Sequence, residues 1–444
     1  MTKSYFFVGI GGSGMLPLAE IMAGQGHEIA GSDRSLDQGR LGAKFEALAA
    51  QSIGLFAQDG SGITSGDQII VASAAVEATV PDIIRATELG CPRVTRAHLL
   101  ADLFNAAPVR IAVGGTSGKS TVTGMIGWIM DQAGHNPTIM NGAVMKNYGS
   151  GSRIGGGDVF VSEVDESDGS IALYFPSVGV LNNIAVDHKS MEELRTLFKG
   201  FLKRSRKVAI NVDNAEARLV APAGSVTFGQ RAGARLRATE IVPRPDGIDF
   251  VVNGMPVRLA VPGEHNVSNA LAALAAAMLA EVSLSEAATA LESFQGLKRR
   301  METVGTANGV TVIDDFGHNP DKIAATLATL HAFPGRLLIF FQPHGYGPLK
   351  QMGRELADSF LANLHSGDHL LICDPAYFGG TVDKSIGADT LVAMIGAQAE
   401  YIATRDACGD RLITLAKRGD RIIVMGARDD TLSAFAQSLL DRLG

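Results

Sequence analysis

Cysteine is scarce, with three residues in 444 (Cys91, Cys373 and Cys408), far apart and outside any C-x-x-C spacing. That pattern excludes a disulfide framework and a cysteine-built zinc site, and it predicts free thiols in a reducing compartment, the cytoplasm. Long apolar runs are missing too. The longest, Ala270 to Ala280, falls well short of the roughly 20 residues of a membrane span, and its alanine-rich texture predicts a buried helix. The first residues, MTKSYFFVGI, pass from one lysine straight into strand-like sequence, with no long apolar segment and no cleavage site, which is not the pattern of a signal peptide. There is no basic excess either. Lys plus Arg number 39 against 46 Asp plus Glu, a net charge of −7 without long runs of one sign, which argues against nucleic acid or an anionic membrane as partner.

What is present is ordinary for a soluble globular chain, with 46% apolar and 19% charged residues. Single cores stop growing near about 250–300 residues, so two or three domains are expected. Three stretches each open on a β-rich apolar run followed by helical periodicity. The first, from SYFFVGIGGSGMLPLAE, continues through QIIVASAAV, PDIIRATELG and CPRVTR to about Phe104, and Asn105–Pro108 reads as a linker. The second starts at VRIAVGGTSGKST, has strands at DVFVSEVD, VGVLNNI and KVAINVD, then a β-rich patch, and closes on the helices of NVSNALAALAAAMLAEV and SLSEAATALESF. The third starts near GLKRRMETV, with strands at VTVIDDF, RLLIFFQP, HLLICDP and DRIIVMGA. The predicted architecture is α/β in three domains. These are an N-terminal Rossmann-like domain (1–107), a central P-loop domain with an added β-rich patch (108–297) and a C-terminal Rossmann-like domain (298–444).

Two glycine-rich turns carry the chemistry. Gly9, Gly11 and Gly14 have G-x-G-x-x-G spacing, with Asp33 about where a ribose-binding acid falls in a dinucleotide fold. A strand–turn–helix of this kind offers backbone N–H groups and a positive helix end to a phosphate, and glycine lets the backbone come close. The spacing alone leaves open NAD, another diphosphate, or a tight turn with no ligand. The second turn, GGTSGKST at 114–121, lacks the leading glycine of the strict Walker pattern because residue 113 is Val. The shorter G-T-x-G-K-[ST] form remains, in which Lys119 reaches β- and γ-phosphate and Ser120 holds Mg²⁺. This turn predicts a nucleoside triphosphate site.

Acids and histidines gather at the following strand ends. SEVDESDGS supplies Glu163, Asp165, Glu166 and Asp168, and LNNIAVDHKSM supplies Asp187 and His188. Singly these are ordinary helix caps and loop charges; together after a P-loop they point to a metal site between γ-phosphate and an incoming acid. VIDDFGHNP adds Asp314, Asp315 and His318, and FQPHGYGPLK adds His344, consistent with one wall of a cleft.

The ordered set VGIGGSGMLPLAE with AGSD, VASAAV with VTRAHLL, VGGTSGKST, SEVDESDGS, NNIAVDH, PGEHNVSNALAA, LKRRME, IDDFGHNP and FQPH resembles the Mur ligase family, and within it the alanine-adding branch, through nearly the whole chain. The resemblance implies that the first turn serves a UDP-sugar diphosphate rather than NAD, with Gly11, Gly12, Ser13 and Gly14 around the phosphates and Asp33 and Ser73 at the pocket rim. It implies an ADP-forming amide ligase of peptidoglycan biosynthesis that phosphorylates a carboxylate of UDP-N-acetylmuramic acid and passes the acyl group to an amine, L-alanine by default. Lys119, Glu163, His188 and Arg300 would be catalytic. ATP would lie against Gly115, Thr116, Ser117, Gly118, Lys119, Ser120 and Thr121, with His265 and Asn269 on the adenine side, Arg300 on the phosphates and Asp315 on the ribose. Ser120 and Glu163 would hold the Mg²⁺ of ATP, and His188 a second ion. His318 and His344 would line the amine site, and the C-terminal domain would close during turnover. The expected partners are small molecules, with a monomer or homodimer as the assembly.

The chain also departs from the family pattern. Ser117 replaces the usual loop His, and Lys189-Ser190-Met191 replaces Leu-Asp-x-Tyr after the Asp-His pair. Gly345-Tyr346-Gly347-Pro348-Leu349 replaces Arg-Tyr-Ser-Arg-Thr. Several sister ligases carry a carbamylated Lys on the helix after that pair; here the place falls on Phe198, with Lys199 one step off the face, as in the alanine-adding branch. The loss of arginine and hydroxyl groups leaves the amine pocket less polar and less positive. A preformed peptide is therefore the alternative amine, ahead of amide ligation outside cell-wall synthesis and of a non-catalytic UDP-sugar-binding regulator.

Overall fold

The computed structural model describes residues 2–40, 42–73, 76–185, 189–375, 385–427, 429 and 431–444. Three α/β regions follow one another, each on its own sheet. The first sheet is parallel throughout, in the spatial order Gly54–Phe56, Glu28–Ser32, Ser4–Val8, Ile69–Ala72, Arg93–Thr95. The strand SYFFV is almost entirely buried, as a strand flanked by crossover helices must be. Strand order reverses beside it, so the glycine turn at its carboxyl end lies where open α/β sheets collect ligands.

The second sheet has ten strands. Its centre is Val109–Gly114, paired in parallel with Val178–Leu181 on one side and Val159–Glu163 on the other. One flank continues through Lys207–Asn211 and Val226–Gly229 to the β-rich patch Leu236–Arg244, Gly247–Val252 and Met255–Leu259. The other flank ends in Thr138–Met145 and an antiparallel edge, Ser150–Arg153. The third sheet runs Glu302–Ala307, Val310–Asp315, Arg421–Gly426, Leu337–Gln342, His369–Ile372, Ala399–Tyr401, parallel except for its first strand.

Contacts divide the chain into two compact units, Met1–Val242 with Asp249–Ala260 and Asn266–Gly296, and Pro243–Ile248 with Val261–His265 and Leu297–Gly444. In the first unit the first two sheets share one core. Phe104 packs edge-on against Phe160 and Tyr174, with ring centroids 5.7 and 5.1 Å away. The helix Leu16–Gly24 buries Glu20, which accepts hydrogen bonds from Ser150 Oγ (2.9 Å), Ser152 Oγ and Gln51 Nε2 (3.1 Å). A buried carboxylate persists only with such partners, and these tie the first glycine turn's helix to the edge of the second sheet. Asn105 differs from the expected linker: the helix Arg96–Ala106 includes it, and its side chain bonds Leu173 O and Phe175 N across to the central region.

In the second unit the strand LLIFFQ is buried at all six positions. Helices Pro320–His331 and Tyr346–Asn363 cover one face of its sheet, and Arg405–Leu415 and Leu432–Leu443 the other. Among the described residues no helix is long and apolar enough to cross a membrane. The three cysteines are buried and free.

Candidate active site

The first glycine turn is braced from several sides. Gly9, at φ +81°, opens it, and the amides of Gly9 and Ile10 both donate to Ser32 O. Gly11 N donates to Asp33 Oδ2 at 2.8 Å, while Asp33 Oδ1 caps the short helix Arg34–Asp37 through Ser35 N. Asp33 thus acts on the turn itself, with one oxygen on Gly11 and the other on its own helix. Gly11 has no room for a side chain, since a Cβ would lie 2.9 Å from Asp33 Oδ2 and from Phe45. Gly12 and Ser13 are exposed, Gly14 is half-buried, and Ser73 follows the neighbouring strand Ile69–Ala72.

The second turn leads from Val109–Gly114 into the helix Lys119–Gln132. Gly118 sits in the left-handed region at φ +81°, and a Cβ there would come within 2.5 Å of Asn269 Oδ1 and 2.8 Å of Asn182 Nδ2. Two asparagines at the end of the adjacent strand shape the loop. Asn183 Oδ1 accepts from Ser117 N (2.8 Å) and Thr116 Oγ1 (3.0 Å), and its Nδ2 donates to Ser117 O. Asn182 Nδ2 donates to Asn269 Oδ1 at 2.9 Å, and its buried Oδ1 has no partner among the described residues. Asn269 is buried and also donates to Asn266. Gly115 and Thr121 complete the loop, Gly115 lying against the Asn183 backbone. The helix end, which has no side-chain cap, therefore presents its first N–H groups and a positive dipole to an anion.

Ser120 Oγ donates to Glu163 Oε2 at 2.9 Å, and Asn141 Nδ2 holds Ser120 O. A Cβ on Gly142 would collide with Glu163 Oε1, so that glycine gives the carboxylate its place. Two hard oxygen donors beside a phosphate loop fit Mg²⁺, which takes few protein ligands and completes its shell with water and phosphate. Asp187 and His188, the remaining expected metal residues of this strand end, lie outside the described residues.

Lys119 Nζ is 2.6 Å from Glu166 Oε2, with the two side chains 20% and 7% exposed. Burial pushes the Glu166 carboxyl above the usual carboxylate range despite the pull of Lys119. Asp165 is held below that range in spite of burial, because Ser167 N and Oγ donate to it and Lys119 and Arg96 are near. Arg96 reaches Asp168 from the first α/β region, at 3.5 Å. Gly14, Arg96, Lys119, Asn141, Glu163 and Tyr174 are among the residues lining one cavity of about 140 Å³. Both glycine turns therefore open into a single cleft of the first unit. Phe198 has no exposed surface and packs against Gly114 beneath the phosphate loop, while Lys199 is exposed.

The remaining expected residues belong to the second unit. Asp315 is buried and fully engaged, accepting from Met301 N (2.8 Å), Gly317 N (2.9 Å) and Thr326 Oγ1 (2.8 Å). Arg300 lies 4.3 Å over the Phe316 ring. His318 stands edge-on to both Phe316 and His344, with centroids 5.2 and 5.0 Å away. Its Nδ1 is 2.8 Å from Phe316 O. A carbonyl only accepts, so Nδ1 carries the hydrogen and Nε2 keeps its lone pair. Burial, with Lys322 and the other nearby cations, pushes His318 down to about 3. Gly345, at φ +144°, starts the helix Tyr346–Asn363, and Leu349 is in the core. His265 begins the helix His265–Leu279 and is exposed.

The sequence reading did not single out Arg96, Asn141, Gly142, Asn182 or Asn183. NNI and VTRAHLL were visible as motif segments, but a brace or a lining residue shows itself only through a partner distant in the chain.

Three family models match successive parts of the chain. Residues 4–107 match the Mur ligase family catalytic domain, 113–277 the Mur ligase middle domain and 299–428 the Mur ligase glutamate ligase domain. The UDP-N-acetylmuramate–L-alanine ligase of Geobacter sp. (strain M21) is 33% identical, over 92% of this chain and 93% of its own. The enzyme of that name from Cereibacter sphaeroides (strain ATCC 17029) is 34% identical over 98% and 96%. In structure the chain is similar to the UDP-N-acetylmuramate-alanine ligase of Thermotoga maritima, with TM-score 0.82, 22% identity and coverage of 99% and 98%. It is also similar to a murein peptide ligase of Psychrobacter arcticus, with TM-score 0.73, 24% identity and coverage of 100% and 99%.

Proposed function

The chain belongs to the Mur ligase family, and from that premise we propose that it joins L-alanine to the carboxylate of UDP-N-acetylmuramic acid through an acyl phosphate. It is an ATP-dependent, ADP-forming acid–amino-acid ligase. The observation that carries the substrate reading is the shared cleft: Gly14 of the first turn lines the same cavity as Lys119 and Glu163 of the second. A sugar nucleotide on one turn and a triphosphate on the other would then meet across it.

The chemistry sets two anions against each other, since a carboxylate attacks the γ-phosphate. Lys119 and the amides at the start of its helix neutralise charge on the phosphates, in a site partly closed to water where such charges act strongly. Ser120 and Glu163 would hold Mg²⁺, which supplies further charge neutralisation at the phosphates when bound. By family resemblance His188 would hold a second ion. Attack by the amine on the acyl phosphate then forms the amide and releases phosphate. His318 suits the amine side through its Nε2 lone pair, which accepts a hydrogen bond from an amine N–H. Its ring stays neutral in the working pH range, so it orients rather than deprotonates. Arg300, poised over Phe316, would serve the phosphates. Small-molecule substrates and a monomeric or homodimeric enzyme in the cytoplasm complete the reading.

The segment Gly345–Leu349 favours one second reading. It forms a first helical turn with no arginine, Gly347 open to space and Leu349 turned into the core, which leaves room for a bulkier amine such as a short peptide. Phosphate release from ATP and Mg²⁺ with UDP-N-acetylmuramic acid decides between them. Turnover with L-alanine supports the first reading. Turnover only with the L-Ala-D-Glu-diaminopimelate tripeptide replaces it, and turnover with neither refutes both.

A further inference from the structure

Arg96 occupies an unusual place for a cation. It is the first residue of the helix Arg96–Ala106, directly after the N-cap Thr95, where the helix dipole disfavours positive charge. Its side chain lies over the last glycine of the first turn, and a Cβ on Gly14 would be 3.0 Å from Arg96 Nη1 and 3.3 Å from Cδ. Arg96, Ala97 and Gly14 all line the cleft that Lys119 and Glu163 share. The pairing of Arg96 with Asp168 is long, at 3.5 Å, and the two side chains are 24% and 38% exposed, the kind of ion pair that contributes little to stability. Asp168 has a second task, accepting from Ser170 N at 2.8 Å through Oδ1, so it stays anchored when the arginine leaves it.

We propose that Arg96 receives the diphosphate of the sugar nucleotide, and that Asp168 is the anion the diphosphate displaces from it. The inference rests on the substrate reading above and adds a residue to it. A guanidinium reads two phosphate oxygens with its fork, and here a helix N-terminus and the glycine turn converge on the same space. The local misfit of a cation at a helix start is what a site kept for an anion leaves behind.

Calorimetric titration tests this with three probes: UDP-N-acetylmuramic acid, UDP-N-acetylglucosamine (which has the diphosphate but not the lactyl carboxylate), and a non-hydrolysable ATP analogue with Mg²⁺. Arg96→Ala should weaken both sugar nucleotides about 10- to 100-fold and leave the ATP analogue unchanged. Asp168→Asn should tighten both roughly two- to fivefold, since it removes a competing anion. Loss confined to UDP-N-acetylmuramic acid would assign Arg96 to the lactyl carboxylate and overturn the diphosphate assignment. Equal loss of all three probes would make the arginine structural, and Asp168→Asn binding no tighter than wild type would overturn the displacement of Asp168. Wild-type protein that binds neither sugar nucleotide overturns the substrate reading together with this one; wild type and Arg96→Ala binding alike overturns this one alone.

Discussion

Replacing Lys119 by Met separates what this residue does for the fold from what it does for the phosphates. Its Nζ lies 2.6 Å from Glu166 Oε2, and the Glu166 side chain is only 7% exposed. Taking the ammonium away leaves a buried carboxylate without its cation, a loss of about 1–3 kcal/mol for such a group, so the destabilisation at pH 7.5 should be on the order of 2 kcal/mol. The effect has a pH signature. Burial already holds the Glu166 carboxyl above its unfolded value, so the folded state keeps a proton that the unfolded state gives up, and this group's contribution falls as pH rises through that window. Without Lys119 the folded value climbs further. The deficit relative to wild type should then be larger at pH 7.5 than at pH 5, because falling pH lets the raised carboxyl take up a proton and lessens its need for a cation.

Adding Glu166→Gln to Lys119→Met closes a double-mutant cycle. The double variant should regain most of the lost stability, yet ATP-dependent phosphate release should stay down by at least about 100-fold, the scale of losing one donor to transition-state charge. Denaturant unfolding of the four proteins at pH 5 and 7.5, beside phosphate release, reads both quantities. A double variant no more stable than Lys119→Met, or a deficit independent of pH, would refute the account of the pair; Lys119→Met with near-normal turnover would refute its role on the phosphates.

Four further outcomes are expected. Gly118→Ala, which must clear Asn269 Oδ1 at 2.5 Å in a left-handed backbone, should abolish ATP-analogue binding in titration while the sugar nucleotide still binds. Glu163→Gln should raise the Mg²⁺ concentration for half-maximal phosphate release by about tenfold or more, because a charged oxygen is lost from a hard-cation site. With the pKa of His318 lowered to about 3, its charged form is present only below that value, so wild-type kcat/KM for the amine should show no break from this residue between pH 5 and 9; His318→Ala should lower kcat/KM for the amine and leave KM for ATP unchanged. L-Alaninamide should compete with L-alanine within about tenfold in the phosphate-release assay, since residues 345–349 carry no arginine to read a carboxylate.

How much of this was legible in the sequence depended on how local the cause was. The two glycine turns could be read because a phosphate loop writes its requirements into adjacent residues, a strand before, glycine where φ must be positive, a helix after. The four inner strands of the third sheet were equally plain, since runs such as LLIFFQ and RIIVMG are short, apolar and buried on both faces, whereas the edge strands Glu302–Ala307 and Ala399–Tyr401 went unread. The hairpin edge Ser150–Arg153 was not, because SGSR has neither β-branched residues nor alternation and is strand only by pairing with Thr138–Met145. Asp33 and Asp315 stood out as acids at strand ends, but spacing could not say that backbone amides occupy both carboxylates. The embrace of the second glycine turn by Asn182 and Asn183 spans 65 to 67 residues of sequence, too far for any local pattern.

A cleft made for polyanions must also stand without them. Two cations with nothing opposite would repel one another, and a pair too tightly formed would resist the substrate. The stretch Glu163–Ser170 meets both demands from a single strand end. Glu163 accepts from Ser120, Glu166 holds Lys119 tightly in a buried contact, and Asp168 holds Arg96 loosely at the solvent edge. The same acids that would read as a crowded, self-repelling cluster in isolation are each matched to a different basic or hydroxyl partner. Their burial is unequal, so by the same reasoning the exposed pair of Arg96 and Asp168 costs less to separate than the buried pair of Lys119 and Glu166.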